Sequence, residues 1–138
     1  MLHKALICLF PVTIITKESV MNYVEEILQA IFIGLAVANF LLSIGRVSKA
    51  IELCKESLAL LNHKVLNIEK QLGQFIYGEI NYTMFNAYRR VSDHTNALAC
   101  GGKLLAIHQE CSDTVQEGAL SITLADICQR QSMYAEAK

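Results

Sequence analysis

The sequence predicts an all-α chain of stacked helical hairpins, and three observations carry that prediction. An alanine recurs at the start of a helix, each time one short turn after an apolar helix. The segments are Gly45-Arg46-Val47-Ser48-Lys49-Ala50, Ser92-Asp93-His94-Thr95-Asn96-Ala97 and Ser132-Met133-Tyr134-Ala135-Glu136-Ala137. Ala50, Ala97 and Ala137 lie 47 and 40 residues apart, a period expected of helical-hairpin arrays. Apolar residues recur at three- and four-residue spacing between the turns, the mark of helix faces that bury one side. The chain also holds one proline and no tryptophan, which suits long uninterrupted helices.

Composition bounds the reading. The 138 residues suffice for one domain or about three hairpins. Hydrophobic residues make up 53% and charged residues 18%, as in an array whose ends lack polar capping repeats. A net charge of −1, with 12 basic and 13 acidic residues that do not cluster, argues against nucleic acid as a partner. Five cysteines, none in C-x-x-C spacing, argue against a secreted disulfide framework and for a reducing, cytoplasmic setting. Cys54 and Cys128 sit on apolar helix faces and are expected to be small buried hydrophobes. His108 and Cys111 lie three apart, but two candidate ligands do not make a zinc site, so no metal and no cofactor are expected.

The elements follow in order. Residues 2–15 are apolar around Pro11. They read as the remnant of a preceding repeat rather than as a signal peptide, because Thr16-Lys17-Glu18-Ser19 replaces a small-x-small cleavage site. A long helix starts near Lys17 to Ser19 and stops at Gly45. A second spans Val47 to Leu61, with Ala50, Leu53, Cys54, Ser57, Leu58 and Leu61 on one face. Asn62-His63-Lys64 connects it to a third, from about Val65 to Val91, with an apolar stripe of Leu72, Phe75, Ile76, Ile80, Met84, Phe85 and Tyr88. Ser92-Asp93 caps a fourth helix to about Glu110. Thr114-Val115-Gln116-Glu117 has the form of a capping box opening a fifth, to about Gln131. A sixth is expected to begin at Met133 or Tyr134. The organisation expected is a degenerate segment over 1–29 and an array of two and a half to three repeats over 30–138.

These residues resemble tetratricopeptide repeats of the roughly 40-residue type, in a degenerate form. Val37, Ala38, Leu41, Gly45 and Ala50 match the family pattern in the first repeat. Met84, Phe85, Tyr88, Ser92 and Ala97 match it in the second, and Leu124, Ala125, Cys128, Ser132, Tyr134 and Ala137 in the third. Phe85 stands where the family has a small residue, and Ser57 and Leu104 stand where it has alanine. The resemblance implies a right-handed superhelical solenoid whose concave groove holds a partner peptide.

The same resemblance implies which residues face that groove. They are Phe32, Leu35, Asn39, Leu42 and Ser43 in the first repeat, then Glu79, Tyr82, Asn86, Arg89 and Arg90 in the second. In the third they are Ala119, Ile122, Asp126, Gln129 and Arg130. Asparagine amides at 39 and 86 can pair with both the N–H and C=O of an extended peptide. Arg89, Arg90 and Arg130 suit acidic side chains or a terminal carboxylate, and Tyr82 offers a flat apolar contact with a polar tip. Plainer readings stand beside these. Asn39 can be satisfied inside the stack, the arginine pair can complement a helix C-terminus, and Tyr82 and Tyr88 can be packing residues.

The reading is therefore a protein-interaction scaffold for a peptide of acidic character, with self-association through open repeat ends as a further prospect. The main alternative is a small membrane-anchored protein, since residues 27–44 are almost wholly apolar and just long enough to span. An enzyme is not expected, because no phosphate-binding glycine loop, nucleophile elbow or metal signature occurs.

Overall fold

The computed structural model describes residues 17–63 and 68–137, and the side chains within 22–63 and 68–133. Five helices lie among these residues: α1 (Lys17–Ser43), α2 (Val47–Leu61), α3 (Lys70–Arg90), α4 (His94–Glu110) and α5 (Thr114–Ala137). No strand occurs among the described residues, so the chain is all-α. The readings made for residues 2–15 and for a helix start at Val65 lie outside the described residues.

Three of the connections share one hydrogen-bonding scheme. Gly45, Ser92 and Ser112 adopt positive φ of 84, 58 and 56°. The amide of each donates three residues back, to Leu42, Arg89 and Gln109 at 3.1, 3.1 and 3.2 Å. The next amides, of Arg46, Asp93 and Asp113, donate five residues back, to Leu41, Tyr88 and His108 at 2.8, 2.9 and 3.0 Å. This is the Schellman closure, which satisfies the last carbonyls of one helix and reverses the chain. The following helix begins at once. Its first bonds run from Ala50, Ala97 and Glu117 to the carbonyls of Arg46, Asp93 and Asp113. Asp93 and Asp113 also accept from the amides of Asn96 and Gln116, at 3.3 and 3.2 Å, and so act as N-caps.

The chain divides into two compact units, residues 1–80 and 81–138, with the division inside α3. In the first unit α1 packs on α2. Ile27, Ile31, Leu35, Ala38 and Leu42 form the buried stripe of α1, and Ala50, Cys54, Ser57 and Leu60 that of α2. Ala50 and Ala38 are wholly buried, and their small side chains let helix axes approach closely. Each fully buried Leu or Ile contributes about 1.5–3 kcal/mol. Tyr23 meets His63 edge-on, with ring centroids 5.8 Å apart. Ile76 and Ile80, from the first part of α3, are also wholly buried.

In the second unit α4 packs on α5. Met84, Phe85, Ala87 and Tyr88 from the end of α3, Ala97, Cys100 and Leu104 from α4, and Ile127 from α5 are buried. Gly101 sits where the three segments come together. A Cβ there would meet Leu124 and would stand 3.2 Å from Cε2 of Phe85. Phe85 therefore fits at a place where a small residue was expected because residue 101 has no side chain.

Several expectations are corrected. No turn occurs at Ser132 and no sixth helix begins at Met133; α5 runs unbroken to Ala137. The N-cap of α5 is Asp113, one residue before the expected Thr114. Glu117 accepts from Gln109 Nε2 at 3.1 Å rather than closing a capping box. Cys128 is exposed, not buried, because the side of α5 that packs centres on Leu120, Leu124 and Ile127.

Candidate functional site

The end of α3 shows one narrow exposed ridge. Ile76, Ile80, Thr83 and Ala87 line its most buried side, and Asn81, Met84, Phe85 and Tyr88 are buried on the flank. Three- and four-residue spacing then leaves Glu79, Tyr82, Asn86 and Arg90 on the opposite face, with Arg89 at its edge. Glu79, Tyr82, Arg89 and Arg90 are exposed and Asn86 is half-buried. All five positions assigned to the groove in the second repeat thus fall on or beside the open face of this helix.

The chemistry of this ridge is set locally. The guanidinium of Arg89 lies over the ring of Phe85, Cζ to centroid 5.4 Å. Such a contact contributes about 0.5–1 kcal/mol at an exposed site and holds the cation in one direction. Arg89 and Arg90 occupy the last turn of α3, where the helix dipole favours positive charge. Their structural role and their availability at the surface are compatible. Asn86 makes no side-chain hydrogen bond among the described residues, which leaves both ends of its amide open. Tyr82 is 56% exposed and is no packing residue. Tyr88, by contrast, is buried.

The other assigned residues fare differently. On α5, Asp126, Gln129 and Arg130 are exposed, but Arg130 Nε pairs with Asp126 Oδ2 at 3.1 Å. That exposed pair is worth little in stability, yet it answers the charge of Arg130 on its own helix. The exposed cations of the ridge are Arg89, held over Phe85, and Arg90. On α1, Asn39 is exposed, and its Nδ2 donates to the carbonyl of Leu35 at 3.1 Å. Its donor therefore serves its own helix. Leu35 and Leu42, also assigned to the groove, are buried, while Phe32 and Ser43 are exposed.

One surface was missed. Ile33, Val37, Phe40 and Ile44 are exposed and form a second apolar stripe on α1, away from its buried face. Phe40 is 61% exposed and Phe75 of α3 is 59%, so not all the phenylalanines are core. The signal lay in the sequence as apolar residues on two faces of one helix. The segment Asn22–Ser43 is long and apolar enough to cross a membrane, at a mean hydropathy of 1.8. Among the described residues no cluster of three His, Cys, Asp or Glu side chains could hold a metal ion.

No family model matches the chain, and neither a curated protein nor a solved structure matches it.

Proposed function

We propose that the chain is a protein-interaction scaffold of tetratricopeptide type, working in the cytoplasm without a cofactor, that holds an acidic peptide segment along the open face of α3. One observation carries this reading. The residues that the repeat pattern assigns to the groove, Glu79, Tyr82, Asn86, Arg89 and Arg90, coincide with the open side of a helix buried on its other sides. In this role the Asn86 amide pairs with the peptide backbone. The arginine pair binds carboxylates, with Arg89 pre-aimed by Phe85. The ring of Tyr82 packs against an apolar residue of the peptide. Asp126, Gln129 and Arg130 belong to the same proposal as secondary contacts.

The test is an array of labelled twelve-residue peptides graded from basic to acidic, read by fluorescence anisotropy against the intact chain. Acidic members should bind best. Charge reversal at Arg89 and Arg90 should weaken them at least about tenfold, and Asn86→Ala by about three- to tenfold. Binding that ignores peptide charge, or survives the double reversal, rejects the reading. The membrane-anchored alternative has the length and composition of α1 in its favour. Against it, one whole side of that helix is buried among other side chains.

A further inference from the structure

The apolar stripe of α1 has a counterpart on α5. Val115 and Ile122 are 78% and 74% exposed, and Gly118, Ala119 and Ala125 between and beside them are exposed too. The α1 stripe is free of charged side chains from Ile33 to Ile44, about 16 Å of helix. That of α5 runs from Val115 to Ala125, about 15 Å, and ends at Asp126, which lies on the same face. The two stripes differ in bulk: phenylalanine and isoleucine lead on α1, while glycine and alanine alternate with larger residues on α5. Large side chains meeting small ones let two helices interdigitate.

The flanking charges fix a direction. With the two helices antiparallel, Ile44 lies opposite Val115, and exposed Arg46, just beyond Ser43, comes to Asp113 at the head of α5. At the other end Gln29 lies opposite Arg130, and exposed Glu25 and Glu26 come within its reach, in competition with the weak, exposed pair that Arg130 makes with Asp126. The parallel arrangement would instead place Arg46 toward Arg130 and Glu25 and Glu26 toward Asp113.

We infer that a second copy of this chain covers the stripe: α1 of one copy docks antiparallel on α5 of the next, head to tail. The contact is heterologous, so a copy bound through one stripe still presents the other, and the assembly either closes into a ring or grows by addition. A contiguous exposed apolar stripe marks an interaction site. One helix face on each side is less than a standard stable dimer presents, so association is weak and concentration-dependent. The inference does not depend on peptide binding by α3.

The experiment is sedimentation velocity on the intact chain across a concentration series, with Phe40→Glu and Ile122→Glu alone and then mixed in equal amounts. Both sites are exposed, and circular dichroism checks that each variant stays helical. Wild type should grow in mass with concentration. Each variant alone should associate at least about tenfold more weakly. The mixture should form a one-to-one dimer and stop there, because the intact α5 face of the Phe40 variant meets the intact α1 face of the other. Arg89→Glu should behave as wild type. A monomeric wild type at all concentrations overturns the inference. So does an Ile122→Glu variant that still self-associates, which would make the contact symmetric through α1. Phosphatidylcholine vesicles that sediment wild type and Ile122→Glu but not Phe40→Glu would give the stripe to a lipid surface, and also overturn it.

Discussion

Gly101 and Ser57 show how single side chains set the packing. Gly101 and Gly102 are neighbours in α4, yet a Cβ at 101 meets Leu124 and Phe85 while one at 102 has nothing within 4 Å. Glycine to alanine in a helix interior gains up to about 1 kcal/mol when space is free. Gly102→Ala should therefore raise the urea midpoint. Gly101→Ala should forfeit that gain and fall below it by about 1–2 kcal/mol, because Phe85 is 2% exposed and cannot step aside. In a Leu124→Ala background part of that deficit should vanish, a coupling that a double-mutant cycle reads directly. Equal effects at 101 and 102 would mean that the three segments do not meet there. Ser57 is the opposite case. It is wholly buried in the first unit, and its hydroxyl has no hydrogen-bond partner among the described residues. Removing an unsatisfied buried hydroxyl leaves packing nearly unchanged and lifts a desolvation cost, so Ser57→Ala should be neutral or stabilising by up to about 2 kcal/mol. A loss of more than about 1 kcal/mol in the same unfolding assay would show that the hydroxyl is bonded.

At the scale of the helix, the turns explain what the sequence made legible. Ser92 and Ser112 each hold a left-handed conformation that costs a non-glycine residue about 1–2 kcal/mol, and each is followed by an aspartate that caps the next helix. Ser132 was expected to turn in the same way because Ala137 keeps the repeat phase. It is followed by Met133, which cannot cap, and α5 passes through it. Alanine spacing alone could not separate the two cases; the Ser-Asp pair does. One substitution should therefore have opposite signs at two sites. Ser92→Gly should stabilise by up to about 1 kcal/mol, whereas Ser132→Gly, inside a helix, should destabilise by some tenths to about 1 kcal/mol. Asp93→Ala should cost about 1 kcal/mol. Thermal midpoints of the three variants suffice, and a gain at Ser132 would restore the turn there. The ridge of α3 was legible for a related reason. Its residues at 79, 82, 86 and 89–90 come from the repeat register and recur at helical spacing, whereas polarity alone would have added Asn81 and Thr83, which are buried. The stripe on α1 was not, because apolar residues on two faces look alike in sequence whichever face is covered.

Over the whole chain, the cysteines report burial in the two units independently. Cys54 is buried in the first and Cys100 in the second, while Cys111 and Cys128 are exposed. The thiolate is the reactive form. Burial pushes the Cys100 thiol above its ordinary range, and the nearby Lys103 offsets this only in part. Cys100 is thus protected twice, by access and by ionisation. In a Cys8→Ser background, which removes the cysteine outside the described residues, a chromogenic disulfide at neutral pH should titrate two thiols quickly and all four in denaturant. Cys100 should react only at higher pH or on opening, because burial raises its thiol above the ordinary range. Mass spectrometry of the labelled peptides assigns each site. Rapid labelling of Cys54 would mean that α1 and α2 do not close on each other, and rapid labelling of Cys100 would say the same of the segments around Gly101. Protection of Cys128 at low concentration would place an extra layer on α5, which no packing within the second unit supplies.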